Sequence, residues 1–128
     1  MLANILVVGL GSALGGVGRY LLATALPYDP VGGAIPLATL LANLTGSAVI
    51  GLVAGLAMPG GLLAAAPTAT LFLATGVLGG FTTFSAFGQE TAQMFADGEP
   101  YLAFVYVTLS VWGSIAAAVL GLAIGSRI

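Results

Sequence analysis

A long stretch of the chain lacks formal charge. Residues 30–89 contain no Asp, Glu, Lys or Arg, and the charged side chains elsewhere are Arg19, Asp29, Glu90, Asp97, Glu99 and Arg127. A soluble domain carries about 25% charged residues, whereas this chain carries 5% and is 59% hydrophobic. The sequence is therefore incompatible with an ordinary soluble fold and predicts an all-α membrane protein.

The apolar stretches are long enough for four membrane crossings. A helix that crosses the hydrocarbon core needs about 20 mainly apolar residues. Four stretches meet that length, at about 2–26, 36–58, 68–95 and 101–126. The three connections are short, which leaves no room for a soluble catalytic domain. We expect residues 1–128 to form a single four-helix transmembrane domain in which the first apolar stretch is a retained helix.

Two missing residue types exclude most enzyme chemistry. The chain has no cysteine and no histidine, so disulfides, thiolate metal sites and the commonest neutral-pH base are unavailable. Two arginines without any lysine cannot form the basic patch that nucleic-acid binding requires. We therefore expect neither an enzyme nor a nucleic-acid-binding protein.

The third apolar stretch is interrupted between Gly79 and Phe87, where the sequence reads GGFTTFSAF. Two adjacent glycines are expected to break the helix near Gly79–Thr82. Irregular backbone at membrane depth is tolerated only where protein or a watery cavity satisfies its polar groups. The interruption therefore predicts a binding or conduction element.

Positive charge does not specify an orientation in the membrane. Lys and Arg near the ends of the spans normally set it, but here Arg19 lies within the first span and Arg127 is next to last. Four short helices also cannot readily enclose a pore while burying their own polar residues. We therefore expect a homodimer, and hypothesise that its subunits are antiparallel.

Small residues recur every four positions, a spacing that lets helix backbones approach closely in membranes. The second span carries a stripe of this kind, which begins with polar side chains: Thr39, Asn43, Ser47, Gly51 and Gly55. A four-residue step advances only about 40° around a helix, so these residues share one face. The amide of Asn43 either bonds a neighbouring helix or turns an N–H toward a permeating anion, and the sequence leaves both open.

The fourth span repeats the four-residue spacing with Tyr106, Ser110 and Ser114. Serine can bond its own helix four residues back, so packing and self-bonding are one reading of this row. A hydroxyl track along a pathway is the other.

Two phenylalanines follow the interruption three residues apart, Phe84 and Phe87. That spacing places them on nearly the same face of the resumed helix. An aromatic ring has a positive edge, so these rings can meet an anion without a formal charge, although aromatic residues in membranes usually only pack.

Two charged residues lie within the predicted spans, where a charge is costly and usually functional. Arg19 could attract anions at a vestibule or cap helix carbonyls at the break. Glu90 is interpreted as a solvent-reaching vestibule residue, with a structural pair to Arg19 as the alternative.

Together these residues resemble the Fluc (CrcB-type) fluoride channels. The resemblance covers the whole chain and includes GGVGRY at 15–20, NLTG at 43–46 and the interrupted stretch at 79–87. It implies a passive channel in the bacterial inner membrane that exports cytoplasmic fluoride and reduces fluoride toxicity. It also implies an antiparallel, dual-topology homodimer with two pathways and a buried sodium ion at the interface.

The resemblance further implies roles for individual residues. Main-chain carbonyls of Gly79 and Thr82 from both subunits would hold the sodium ion. The residues expected to line the fluoride pathway are Asn43, Phe84, Phe87, Tyr106, Ser110 and Ser114. Two positions depart from the family pattern, since Ala86 and Ala118 stand where relatives often carry hydroxyl residues.

A small dual-topology multidrug/proton exporter is the alternative of similar size and span count. That class exchanges protons through a membrane-embedded carboxylate, typically in the first span. The first span here contains none, which favours the fluoride channel.

Overall fold

The computed structural model describes residues 1–29 and 33–128, and its regular structure there is helical. The helices are α1 (Leu2–Ala25), α2 (Leu37–Leu56), α3 (Pro67–Thr70), α4 (Gly79–Phe81), α5 (Phe84–Ala96) and α6 (Pro100–Gly125), with a π-helical segment, Leu71–Leu78, between α3 and α4. Four stretches are long and apolar enough to cross a membrane: Leu2–Ala25, Leu37–Leu56, Pro67–Ala96 and Pro100–Gly125. The predicted all-α membrane fold is confirmed, and each predicted bound lies close to the observed one.

The third span is broken, as predicted, but the glycines are not the broken residues. Gly79 and Gly80 are helical, whereas Thr82 (φ −80°, ψ 157°) and Thr83 (φ −152°, ψ 120°) are extended. Threonine is β-branched and accepts extended backbone readily. The break begins at Thr82, within the predicted range of Gly79–Thr82. Only its assignment to Gly79 and Gly80 is wrong, since the helix continues through Phe81.

Instead, the glycines allow the third span to lie directly against α1. A Cβ on Gly80 would collide with the main chain of Ser12, and a Cβ on Gly15 with the main chain of Val77. Gly11 and Gly76 likewise face each other, since a Cβ on Gly11 would lie 2.8 Å from the Gly76 Cα. Small residues permit this backbone-to-backbone contact in membranes. The contact holds the π-helical segment and α4 against α1, just before the break.

The second large contact joins α2 to α6 and also depends on glycine. Gly51 and Gly55 on α2 lie against the main chain of α6, and Gly121 and Gly125 on α6 lie against that of α2. A Cβ on Gly55 would stand 2.6 Å from the Leu122 carbonyl oxygen. The C-terminal part of the α2 stripe, Gly51 and Gly55, is therefore packing surface, while its polar N-terminal part faces the break.

The outer surface of α1 is apolar and exposed in the single chain. Leu6, Leu10, Leu14 and Leu21 are all exposed, and the buried residues of this helix are Gly11 and Gly15. Side chains of this kind suit contact with lipid or with another apolar helix. A small core lies at the other side of the break, where Leu40, Phe87, Met94, Ala103 and Tyr106 are buried together.

Candidate functional site

A groove of about 410 Å³ runs beside the helix break, between α2, α5 and α6. Its lining residues are Asn43, Ser47, Ile50, Thr82, Thr83, Phe84, Phe87, Ser110, Val111 and Ser114. The fold thus brings five of the six predicted pathway residues together, although they lie on three separate spans. None of the lining side chains is charged, so the groove offers neutral hydrogen-bond donors and aromatic rings.

Asn43 of α2 is paired to the main chain of the break by two hydrogen bonds. Its Nδ2 donates to the Thr83 carbonyl oxygen at 3.0 Å, and its Oδ1 accepts from the Thr83 N–H at 2.8 Å. Thr83 lies outside helical geometry, so its peptide groups lack helix partners, and Asn43 supplies them. The sequence left interhelical bonding and a groove-facing N–H open. The first is present, and Asn43 also lines the groove.

The carbonyls of the break differ in how they are satisfied. The Leu78 carbonyl accepts from the N–H and the hydroxyl of Thr82, at 3.0 and 2.9 Å. Arg19 Nε donates to the Gly80 carbonyl at 3.4 Å. Thr82 lies outside the helices, and its carbonyl oxygen accepts no hydrogen bond from residues 1–29 and 33–128. One of the two carbonyls that the resemblance assigned to a cation is thus an unoccupied acceptor.

Phe84 and Phe87 form the aromatic wall at the start of α5. Their ring centroids are 5.5 Å apart, but Phe84 is 82% exposed and Phe87 only 8%. Thr83 caps this helix, because its hydroxyl accepts from the Ala86 N–H at 3.2 Å. The cap fixes the first turn of α5 and hence the position of Phe87.

Ser110 is the polar residue of α6 that lies deepest in the groove. It is 5% exposed, and its Oγ is the one buried side-chain polar atom without a hydrogen-bond partner in the part of the chain that the structure describes. A buried hydroxyl without a partner is unfavourable unless a ligand or water completes it. Ser114, one turn further along α6, also lines the groove.

Tyr106, the remaining predicted pathway residue, lies behind Phe87 and does not line the groove. Its hydroxyl donates to Glu90 Oε2 at 2.6 Å, and Thr39 Oγ1 donates to Glu90 Oε1 at 2.7 Å. Both oxygens of Glu90 are thus bonded to neutral hydroxyls rather than to Arg19. We did not assign Thr39 to the site from the sequence, although its place at the head of the α2 stripe was the available signal.

Arg19 and Glu90 therefore have separate partners. The Arg19 side chain bonds the Gly80 carbonyl, which is the carbonyl-capping alternative considered for it. Glu90 lies on α5, and its charge, together with those of Asp97 and Asp29, acts on Tyr28 in the connection after α1. The pKa of the Tyr28 phenol is raised, first by burial and then by those carboxylates. One end of the molecule is therefore acidic, and Glu90 lies between that end and the groove.

Neither departure from the family pattern changes the groove lining of the single chain. Ala86 and Ala118 are absent from the lining residues. The main chain of Ala118 instead contacts α2, where a Cβ on Gly51 would meet its carbonyl group.

The fold and the groove define a multi-pass membrane protein with a neutral, donor-lined groove beside a broken helix. Comparison with known proteins agrees with that class. A family model described as "CrcB-like protein, Camphor Resistance (CrcB)" matches residues 6–122. The chain belongs to the CrcB-like family.

Curated relatives match over most of their length. The "Fluoride-specific ion channel FluC" of Chlorobaculum tepidum is 44% identical over 91% of this chain and 89% of its own. The "Fluoride-specific ion channel FluC 1" of Bradyrhizobium diazoefficiens is 43% identical over 94% of this chain and 82% of its own. The "Fluoride-specific ion channel FluC" of Chlorobium chlorochromatii is 42% identical over 94% of this chain and 90% of its own.

Proposed function

We propose that this chain forms a fluoride-selective passive ion channel that exports cytoplasmic fluoride across the bacterial inner membrane. The observation that carries the proposal is the groove, in which amide and hydroxyl groups from α2 and α6 face an aromatic wall without any charged side chain. The names of the relatives support the choice of ion. Passive conduction requires no catalysed reaction, in keeping with a chain that lacks histidine and cysteine.

The chemistry of the groove suits a small anion that holds its water tightly. Such an ion crosses a membrane only where close donors replace its hydration shell. Asn43, Ser110 and Ser114 offer N–H and O–H donors, and Phe84 and Phe87 offer positive ring edges. Neutral donors bind an anion weakly enough to release it, which conduction requires. Chloride is larger and more easily dehydrated, so a narrow path of this kind would exclude it by size.

Tyr106 supports the residues of this pathway without lining the groove. Its ring packs against Phe87 and its hydroxyl holds Glu90, so it fixes both the wall and the nearest carboxylate. In the single chain its contribution to a fluoride path is therefore indirect.

The channel would be an antiparallel homodimer. Phe84 borders the groove yet is 82% exposed in the single chain, so a second copy would supply the missing wall. Arg19 bonds the break and Arg127 lies beyond α6, so positive charge does not favour one orientation over the other. Equal insertion in both directions would provide the two subunits.

A sodium ion would lie where the two breaks meet. The described residues contain no group of three or more Asp or Glu that could hold a metal ion, so its ligands would be main-chain oxygens. Its proposed ligands are the Gly79 and Thr82 carbonyls. That of Thr82 receives no hydrogen bond within the described residues, and hard oxygen donors suit a hard cation. The ion would satisfy these carbonyls and offset the charge of anions in transit.

The first test is fluoride efflux from liposomes that contain the purified protein, with chloride efflux as the control. We expect rapid fluoride release and chloride release no faster than from empty liposomes. Fluoride release equal to that of empty liposomes would refute the channel, and equal release of both ions would refute its selectivity.

A further inference from the structure

The two hydrogen bonds between Asn43 and Thr83 determine which atom of the amide is oxygen and which is nitrogen. A main-chain N–H can only donate and a main-chain carbonyl can only accept. The atom that faces the Thr83 N–H at 2.8 Å must therefore be Oδ1, and the atom that faces the Thr83 carbonyl at 3.0 Å must be Nδ2. A flipped amide would place two donors against each other at the Thr83 N–H and two acceptors against each other at the Thr83 carbonyl.

This pairing leaves one polar hydrogen free. Nδ2 carries two hydrogens, and Thr83 takes one of them. The Asn43 side chain forms no other hydrogen bond with the described residues, and it lines the groove. Oδ1 accepts from the Thr83 N–H and keeps a second lone pair, so the donor that the pairing leaves on Asn43 is the second N–H of Nδ2.

We propose that the Thr83 main chain orients Asn43 so that the free N–H of its amide serves the groove as a donor. A freely rotating amide would offer either group, and its acceptor would favour a cation or compete with an anion for donors. The extended Thr83 is thus a specificity-determining element, because only backbone outside a helix has both its N–H and its carbonyl available for one side chain. This inference rests on the proposed anion conduction.

The Asn43→Asp variant tests the hydrogen bonds to Thr83 and the free donor independently of each other. At neutral pH the carboxylate cannot donate to the Thr83 carbonyl, so the pairing is lost. In acid the protonated carboxyl accepts from the Thr83 N–H and donates its O–H to the Thr83 carbonyl, which restores both bonds. No polar hydrogen then remains for the groove. The variant should therefore regain the pairing in acid without regaining conduction.

The two readouts are hydrogen exchange at the Thr83 amide and fluoride current across planar bilayers, each compared with the unsubstituted protein at the same pH. Current is used because neutral HF carries none. We expect Asn43→Asp to lose Thr83 protection at neutral pH and to regain it in acid. Its current should stay roughly 10- to 100-fold below that of the unsubstituted protein at both pH values, the loss expected for one hydrogen bond to a charged group.

Two further variants serve as controls, one that removes both bonds and one that removes neither. Asn43→Leu removes both bonds and should lose protection and current at every pH. Thr45→Val is the matched control, because Thr45 is exposed on α2 and bonds only the Leu41 carbonyl of its own helix. It should resemble the unsubstituted protein in both readouts.

Three outcomes have distinct meanings. Current that returns in acid together with Thr83 protection would overturn the role of the free N–H. Thr83 exchange that is unchanged in Asn43→Leu would overturn the pairing itself. Absence of fluoride current from the unsubstituted protein would refute the proposed function, while the exchange comparison would still decide whether Thr83 holds the amide.

Discussion

The ring centroid of Phe87 lies 5.3 Å from that of Tyr106, with 55° between the ring planes. Tyr106 is fully buried and Phe87 nearly so, and both belong to the core beside α5 and α6. One wall of the groove is therefore also part of the hydrophobic core. Phe84, the next ring along this wall, is exposed instead. The spacing in the sequence does not distinguish the two phenylalanines, but only Phe87 contributes to the stability of the core.

Replacing these rings separately tests that difference. Phe84→Ile and Phe87→Ile should each abolish fluoride flux, because both remove a ring edge from the groove. Phe87→Ile should also lower the free energy of unfolding by about 1–3 kcal/mol, since a buried ring leaves a cavity against Tyr106. Phe84→Ile should lower it by less, because this ring is 82% exposed in the single chain and leaves no cavity in the core. Denaturant unfolding in detergent and liposome flux measure the two effects, and equal destabilisation would contradict the structure.

The contact between Tyr106 and Glu90 predicts a loss of stability. Tyr106→Phe removes the donor to Glu90 Oε2 and leaves a carboxylate oxygen without that partner. We expect the free energy of unfolding to fall by about 1.5–3 kcal/mol, the range for hydrogen bonds to charged groups. Tyr101→Phe is the control, because Tyr101 is an exposed tyrosine on the same helix. Similar unfolding free energies for the two variants would show that the Tyr106 hydroxyl does not hold Glu90.

Close packing of α1 against the third span predicts a position-dependent effect of one methyl group. Gly15→Ala would force a Cβ into the main chain of Val77 and Phe81, and backbone cannot yield as a flexible side chain does. We expect a loss of about 1–3 kcal/mol, as for other overpacked sites. Gly9→Ala, on the same helix with open space around it, should be neutral or stabilising by up to about 1 kcal/mol. Thermal unfolding in detergent would measure both, and tolerance of Gly15→Ala would contradict the contact.

Removal of sodium tests the proposed cation. If the Gly79 and Thr82 carbonyls hold sodium, extensive dialysis into a large organic cation should reduce fluoride flux to the level of empty liposomes, because the carbonyls would repel one another and the anion. Returning sodium should restore flux. The matched control keeps the organic cation and adds sodium at equal ionic strength. Full flux in the thoroughly sodium-free protein would remove sodium from the mechanism.

The four spans could be predicted because they follow from hydrophobicity and length. A charge in hydrocarbon is costly wherever it lies, so the interval between Asp29 and Glu90 restricts the fold before any packing is known. The glycine spacing on α2 likewise predicted close helix contacts, because backbone approach depends mainly on side-chain size. The exact break could not be predicted this way, since whether glycines bend or only pack depends on the helix opposite them.

The candidate site was less predictable than the fold. Asn43 admitted two readings because an amide can donate and accept, and the choice depended on Thr83, forty residues away. For Thr39 the local signal was only its place at the head of the α2 stripe, since its role is to bond Glu90 on another helix. Pairings of this kind depend on distances between spans, which no single-span pattern contains.

The sequence alone determined that the chain lies in a membrane, crosses it four times, interrupts its third span and carries neutral polar side chains on the second and fourth. These properties are local, because burial of each residue in lipid depends on its own polarity. Only the tertiary structure decided which polar groups are occupied and which remain available. It places Asn43 against Thr83 and leaves the Ser110 hydroxyl without a partner in the groove, because a hydrogen bond requires two atoms within about 3 Å and only packing of the helices sets that distance.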